Sequence, residues 1–386
     1  MREPPAPAAE GTMGDDGPPL VTCSHCGSTV PGGEFCGRCG AHLTGTARRP
    51  HAYAAVPSER LAHLSLITTL FPHLPHRHGA QFRIALVAGG VLVVMLAALH
   101  LFAPATVAAV LVLPVLYLMY LYEVEIYDEE PWLVIGATIV AGAVLGFAFT
   151  RAAGGALSDL VLTGDRATAL ALAGIAIPIV AQALMLAGPL VLYFARGSFR
   201  EPLDGLAFGA ASALGFTLAA SLTQFWPLLA GPLVASGSPL DWAVRLTRAG
   251  LLVSIVNACT TAVVTASLWL NRFGGRARAG PVHANVAVAA AVAFTVQVAL
   301  GVIAFEVDDL VVDVGVLAVA AAALLLYTRV VVHDALLVEG IEHQIGPEAP
   351  CPECHRMVPT MAFCPACGAA RAAAPKQTRA RLAGGV

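Results

Sequence analysis

The sequence predicts an all-α, multi-pass membrane helix bundle flanked by two small four-cysteine modules. Of its 386 residues, 57% are hydrophobic and only 12% are charged, whereas soluble domains are about a quarter charged. The mean hydropathy of the chain is +0.75. Eight of the nine cysteines lie outside the apolar region, four near each end of the chain. The excess apolar surface must meet lipid, which excludes a water-soluble globular enzyme.

The polar ends of the chain are expected to remain in the cytoplasm. The segment from Met1 to Ala54 is rich in Pro and Gly and has no apolar region of the kind found in a secretory signal. The formal net charge is -3, which gives no sign of the basic patch that nucleic acid requires. We therefore expect no specific nucleic-acid partner.

The two cysteine modules have identical spacing, C-x2-C-x9-C-x2-C. The candidate metal ligands are Cys23, Cys26, Cys36 and Cys39 in the first module and Cys351, Cys354, Cys364 and Cys367 in the second. Each C-x2-C pair can direct two sulfurs at one ion, so two pairs predict a closed, structural tetrahedral zinc site. Two disulfides or an iron centre remain as alternatives, although a reducing cytoplasm disfavours disulfides.

Both modules resemble the bacterial zinc-ribbon family, over residues 21–43 and 350–369. Glycines follow cysteines where a tight turn brings the backbone near the metal (Gly27, Gly37, Gly40 and Gly368), and His355 stands where the first module has Gly27. Phe35 and Phe363 supply the one aromatic side chain that so small a fold can bury. The resemblance implies two structural zinc ions and recognition of another macromolecule, here a cytosolic protein.

The apolar middle of the chain divides into eight segments at its charges and prolines. A bilayer core requires about 20 largely apolar residues per helix. The segments are Ile84–Leu101, Val107–Tyr122, Trp132–Thr150, Ala167–Ala195, Leu203–Thr223, Ala249–Leu270, Asn285–Phe305 and Val311–Val332, and Phe225–Leu240 reads as re-entrant or interfacial. An even number of spans puts both termini on the same side.

Arginine positions favour a cytoplasmic location for both termini in the cell membrane. With eight spans, seven arginines would be cytoplasmic and four would lie opposite, as the positive-inside rule requires. The seven are Arg77, Arg83, Arg196, Arg200, Arg272, Arg276 and Arg278, and the four are Arg151, Arg166, Arg245 and Arg248.

The remaining segments are assigned by composition. Residues 1–20 and 370–386 are predicted to be disordered tails, 83–333 the transmembrane bundle, and 334–349 a linker. Residues 44–82 are predicted to be a linker with an interfacial amphipathic segment, in which a site formed by His63, His73, His76 and His78 is the less favoured alternative.

Strongly polar side chains are rare inside the predicted spans, the main ones being Gln182, Asn257 and Gln297. Three motifs nevertheless carry a resemblance to the PrsW-type intramembrane proteases over about residues 127–270. They are Tyr127-Asp-Glu-Glu-Pro-Trp132, Leu203-Asp-Gly-Leu-Ala-Phe-Gly-Ala-Ala-Ser-Ala-Leu-Gly-Phe216 and Asn257-Ala-Cys-Thr-Thr-Ala262. The glycines at 205, 209 and 215 are typical of a closely packed helix interface.

The catalytic pattern of that family is absent at the matching positions. Its paired glutamates are replaced by Ala181 and Gln182, its lysine by Met185, its next glutamate by Ala220 and its histidine by Asn257. None of these side chains titrates near neutral pH, so we assign no catalytic residue. The resemblance then implies a degenerate protease, or pseudoprotease, and predicts that Gln182, Ala220 and Asn257 converge.

These observations favour a membrane scaffold, sensor or regulator whose ribbons recruit a cytosolic partner, and whose bundle binds a membrane segment without cutting it. One alternative is an active intramembrane protease that uses Glu129, Glu130, Asp204 or the His73–His78 cluster. A transporter or channel is a weaker alternative, because buried charge is scarce. In the simplest interpretation, the side chains of Gln182, Asn257 and Gln297 only form hydrogen bonds between helices.

Overall fold

A computed structural model describes residues 19–24, 26–43, 80–123, 132–163, 165–195, 199, 202–231, 238–273, 285–342, 345–351 and 353–371. The predicted amphipathic segment, the histidine cluster, Glu129, Glu130 and most of the predicted tails lie outside these residues. The chain divides into two compact units, one formed by Met1–Leu61 with Leu336–Val386 and the other by Ala62–Ala335.

Helices make up most of the described residues of the larger unit, and none of these residues forms a strand. Its helices are α1 (Ala80–Ala98), α2 (Phe102–Glu123), α3 (Trp132–Thr163), α4 (Arg166–Leu170, a π-helical turn at Ala171–Ala176, and Ile177–Ala195), α5 (Pro202–Gln224), α6 (Trp226–Leu229), α7 (Pro239–Leu246, a π-helical turn at Thr247–Leu252, and Val253–Phe273), α8 (Val286–Glu306) and α9 (Leu310–Glu342).

All eight predicted spans are helical, but only seven helices are long and apolar enough to cross a bilayer among the described residues. The exception is the first, whose apolar part, Phe82–Ala98, is shorter than the others. The predicted second span was too short, because α2 begins at Phe102, five residues before the predicted start, and runs for 22 residues with Pro114 inside it. Similarly, α9 continues to Glu342 and so occupies part of the predicted linker.

Large apolar side chains cover much of the outer surface of the bundle. On α1, the exposed fractions are 67% for Ile84, 64% for Val87, 59% for Val91 and 69% for Val94. A soluble monomer rarely exposes so continuous an apolar surface. This surface is the one that lipid would cover.

Glycines let α5 pack closely against two neighbours. A Cβ atom on Gly205 would lie 2.8 Å from the carbonyl oxygen of Thr265, and one on Gly209 would lie 2.8 Å from the Cα atom of Ala262. Gly215 meets the backbone of Ile139 on α3 in the same way. The prediction that these glycines form a close helix interface is confirmed.

The π-helical turn in α4 has an identifiable cause. Pro178 has no amide hydrogen, so the carbonyl group one turn earlier, at Gly174, loses its helical partner. The chain widens there, and the amide of Ile177 donates to the carbonyl of Leu172. Gly301 of α8 fits against this turn, where a Cβ atom would lie 2.6 Å from the Gly174 carbonyl oxygen.

The smaller unit contains two antiparallel hairpins. In the first, β1 (Leu20–Thr22) pairs with β2 (Thr29–Pro31). In the second, β3 (Gly346–Pro350) pairs with β4 (Met357–Thr360). Each hairpin carries the first cysteine pair of its module, at or beside the turn.

Candidate functional site

The sulfur atoms of each module converge on one point. In the first, Sγ of Cys23 lies 3.8 Å from Sγ of Cys39, and Sγ of Cys26 lies 3.8 Å from Sγ of Cys36. The same two separations in the second module, Cys351 to Cys367 and Cys354 to Cys364, are also 3.8 Å. A disulfide would require about 2.05 Å, so these cysteines are free thiols.

Each four-cysteine cluster could therefore hold one metal ion. Within each cluster, the four sulfur atoms lie within 4.8 Å of one another. A separation of 3.8 Å is the edge of a tetrahedron whose centre is about 2.3 Å from each corner, which matches a tetrahedral site of four sulfur ligands. The eight predicted ligands are thus grouped as the sequence spacing indicates.

Backbone turns place the sulfur atoms. In each turn, an amide donates back to the carbonyl of the cysteine that opens it, as from Gly27 to Cys23 at 2.9 Å and from His355 to Cys351 at 2.9 Å. The residue that donates this hydrogen bond has a left-handed backbone, with φ of 69° at Gly27 and 59° at His355. Glycine adopts this conformation without strain, whereas histidine does not.

The thiols within a cluster share protons. The pKa of Cys36 is lowered to about 5, chiefly because the Cys39 thiol hydrogen-bonds to it, and the pKa of Cys39 is raised by the same hydrogen bond. In the second module the pKa of Cys364 is lowered to about 3, chiefly by Cys351. All four thiols of a cluster can ionise together only when a cation neutralises the repulsion between the thiolates.

The two modules pair with each other through backbone hydrogen bonds. The amide of Phe35 donates to the carbonyl of Pro365 at 2.9 Å, and the amide of Phe363 donates to the carbonyl of Gly37 at 2.8 Å. When the cysteines of the two modules are aligned, Phe35 corresponds to Phe363 and Gly37 to Pro365. The two hydrogen bonds are therefore related by a local pseudo-twofold axis.

Side chains complete this interface. Met361 of the second module is 5% exposed and packs into the core of the first, against Cys23, Val30 and Cys36. A side chain at position 37 would collide with Met361, which lies against Gly37. Likewise, a Cβ atom on Gly33 would lie 2.7 Å from the carbonyl oxygen of Pro365. Gly37 lies in the turn after Cys36, as predicted, and the contact with Met361 gives it a second role in the pairing of the modules.

A second group of polar residues is buried in the helix bundle. Gln182 of α4 has no exposed surface. Its side-chain oxygen accepts hydrogen bonds from Thr260 at 3.0 Å and Gln297 at 3.2 Å, and its nitrogen donates to Thr261 at 3.3 Å. Gln297 also donates to Asn257 at 2.8 Å. The amide side chains of α4, α7 and α8 thus form one network.

This network extends to α5 beside Ala220. Asn257 donates to the hydroxyl of Thr217 at 2.9 Å, and Thr217 lies one helical turn before Ala220. Ala220 and Ala181 pack against the buried cluster of Met185, Ala213 and Phe216. The positions identified by sequence, from Ala181 to Asn257, therefore gather in one region, and the named side chains there are neutral.

The sequence reasoning missed the hydroxyl residues of the network, Thr217, Thr260 and Thr261. Thr260 and Thr261 follow Asn257 at helical spacing, which places Asn257 and Thr261 on one face of α7. That spacing was the available signal. Asp204, a candidate acid in the active-protease alternative, is buried at the start of α5 with 8% of its surface exposed.

No family model, curated protein or solved structure matches this chain. The resemblance to intramembrane proteases therefore rests on the residues given above.

Proposed function

We propose that this chain is an integral membrane protein in which two zinc ribbons form one cytosolic module that recruits a protein partner. The helix bundle anchors this module and performs no chemistry. The observation that carries the proposal is the pairing of the ribbons, through the hydrogen bonds from Phe35 to Pro365 and from Phe363 to Gly37. It makes one recognition unit from the two ends of the chain.

Zinc is the metal that fits both clusters best. Zn–S bonds are about 2.3 Å long in tetrahedral four-cysteine sites, and the sulfur separations of 3.8 Å agree with that length. Four thiolates leave no open coordination position, so each ion would be structural. Purified protein should contain two zinc ions per chain by elemental analysis, and a Cys23→Ser, Cys36→Ser double variant should contain one.

Ribbon pairing also supports a topology with both termini on one side. Two modules in contact cannot lie on opposite faces of a bilayer, so the number of crossings must be even. Seven helices are long enough to cross, and α1, with 19 residues, spans about 28 Å. That length nearly equals the bilayer core of about 30 Å. We therefore count α1 as the eighth crossing.

The cytosolic partner would bind the exposed face of the ribbons. Leu20, Val21 and Met357, on the ribbon strands, have exposed fractions of 52%, 40% and 57%. Exposed aliphatic side chains on so small a module favour a protein partner, because burying them excludes water from an apolar patch.

The bundle is proposed to be a PrsW-like fold without catalytic groups. Support comes from the gathering of Ala181, Gln182, Met185, Ala220 and Asn257 in one region, as the resemblance requires. Gln and Asn do not titrate. The amide groups of Gln182 and Asn257 are already engaged in hydrogen bonds with Thr217, Thr260 and Thr261. Cleavage of a membrane substrate by purified protein, lost on Gln182→Ala or Asn257→Ala substitution, would overturn this part of the proposal.

The recruitment proposal requires a separate test. The full chain in native membranes should crosslink to a cytosolic protein through photoreactive groups placed at Val21 and Met357. The crosslink should disappear when zinc is chelated and return when zinc is restored. Groups placed at Val87 and Val91, which are exposed on α1, are the matched control and should crosslink to lipid. Crosslinks that are unchanged by chelation would contradict the proposed recruitment.

A further inference from the structure

A cavity of about 100 Å³ lies between α2, α5, α7 and α9. Its lining includes Tyr117 and Tyr120 of α2, Leu214 of α5, and Ala258 of α7. The space exists because small side chains face α9 here. Alanine at 258, as at 210 and 262, leaves a gap that a larger residue would fill.

The walls of this cavity are mostly apolar, with Ser254, Thr328 and Arg329 as the main polar side chains. Aliphatic and aromatic side chains form most of the lining, and Arg329 of α9 is the only charged residue in it. Arg329 is buried, with 2% of its surface exposed. A buried charge is costly in an apolar helix bundle and marks function by default.

The cavity extends from the middle of the bundle toward one end of it. Tyr117 and Tyr120 lie near the end of α2, Leu206 lies near the start of α5, and Arg329 lies near the end of the apolar part of α9, Leu310–Ala335. With both termini in the cytoplasm, these ends all face the cytoplasmic leaflet. Arg329 then lies near the level of the lipid headgroups, with apolar walls on the membrane side of it.

We infer that this cavity binds an anionic phospholipid of the cytoplasmic leaflet, with part of one acyl chain against the apolar walls and the phosphate at Arg329. Apolar cavities of this order of size stay dry and take up apolar groups. The guanidinium carries five donors in a planar fork that matches phosphate, so it can serve a protein acceptor and a phosphate together. Basic pockets between helices on this side of a membrane bind anionic headgroups.

The binding test uses the full chain in nanodiscs that contain phosphatidylcholine and phosphatidylglycerol in equal amounts. Native mass spectrometry counts the lipids that stay bound to each chain. The unmodified protein should retain one phosphatidylglycerol, with a preference over phosphatidylcholine of about tenfold, because a charged hydrogen bond favours the anion. Equal retention of the two lipids would overturn the inference.

Two variants test the contacts with the headgroup and with the acyl chain separately. Arg329→Gln should abolish the preference for phosphatidylglycerol, whereas Arg151→Gln, at an exposed arginine on α3, should retain it. Ala258→Leu should fill the cavity and lower the retention of either lipid, whereas Ala323→Leu, at an exposed position on α9, should not. An unchanged preference in Arg329→Gln, or unchanged retention in Ala258→Leu, would each overturn the site.

The inference rests on the membrane location proposed above, and the two can fail separately. A chain that does not partition into membranes would contradict the location. A chain that inserts into nanodiscs but retains no phosphatidylglycerol would contradict the lipid site alone.

Discussion

At the scale of single residues, the two ribbons differ at one strained position. His355 adopts the left-handed conformation, with φ of 59°, that Gly27 occupies in the first ribbon with φ of 69°. The left-handed region costs a residue with a Cβ atom about 1 kcal/mol or more. His355→Gly should therefore strengthen zinc binding by the second ribbon about fivefold, measured by competition with a chelator in the full chain.

The reverse change provides the matched control. A Cβ atom on Gly27 would meet no other atom within 4 Å, so Gly27→Ala introduces only the backbone strain. It should weaken zinc binding by the first ribbon about fivefold. If His355→Gly leaves the affinity unchanged while Gly27→Ala lowers it, the histidine conformation is not strained.

The sequence predicted the residues whose role depends on local spacing. The grouping of eight cysteines into two clusters and the burial of Phe35 and Phe363, 5% and 3% exposed, follow from one short motif. Met361 and Gly33 were missed because their role appears only when two segments from opposite ends of the chain meet. A pattern within one module carries no information on that contact.

At the scale of elements, the pairing of the ribbons can be broken without touching a ligand. A Cβ atom on Gly33 would lie 2.7 Å from the carbonyl oxygen of Pro365, which is backbone and cannot rotate away. Gly33→Ala should therefore separate the ribbons while both still bind zinc. Hydrogen exchange at the amides of Phe35 and Phe363 should become at least tenfold faster, because both lose their hydrogen-bond acceptors.

Gly315→Ala is the control for that experiment, since a Cβ atom there meets open space, and it should leave both amides protected. Protection that survives Gly33→Ala would show that the interface tolerates the extra methyl group.

The polar network provides a second prediction at this scale. Gln182 makes three hydrogen bonds, with Thr260, Thr261 and Gln297, each of about 0.6 kcal/mol between helices in a membrane. Gln182→Leu should therefore lower the free energy of unfolding by about 2 kcal/mol. Thermal unfolding in detergent measures this, with Gln224→Leu, at an exposed position at the end of α5, as the control. Equal effects of the two changes would exclude a stabilising network.

At the scale of the whole molecule, composition alone predicted the helical class and the position of every long apolar helix. Composition did not predict where the helices end. Both α3 and α9 continue past their apolar segments into stretches that contain polar residues, where the thickness of a bilayer sets no helix length. That Gln297 joins Gln182 and Asn257 also needed the structure. Three helices far apart in sequence can meet on any of their faces, and alanine-rich helices show no clear amphipathic face.

The topology depends on the shortest apolar helix. If α1 crosses the membrane, blocking its insertion must separate the two ribbons, because an odd number of crossings would put them on opposite sides. Val87→Arg with Val91→Arg should block insertion, since each arginine at the centre of a span costs about 3 kcal/mol. Both positions are exposed, 64% and 59%, so the changes do not disturb the packing of the bundle.

In the arginine variant, hydrogen exchange at the amides of Phe35 and Phe363 should accelerate together, whereas Val87→Leu with Val91→Leu should leave both amides protected. Ribbons that stay paired in the arginine variant would mean that α1 lies on the membrane surface and that the bundle crosses an even number of times without it.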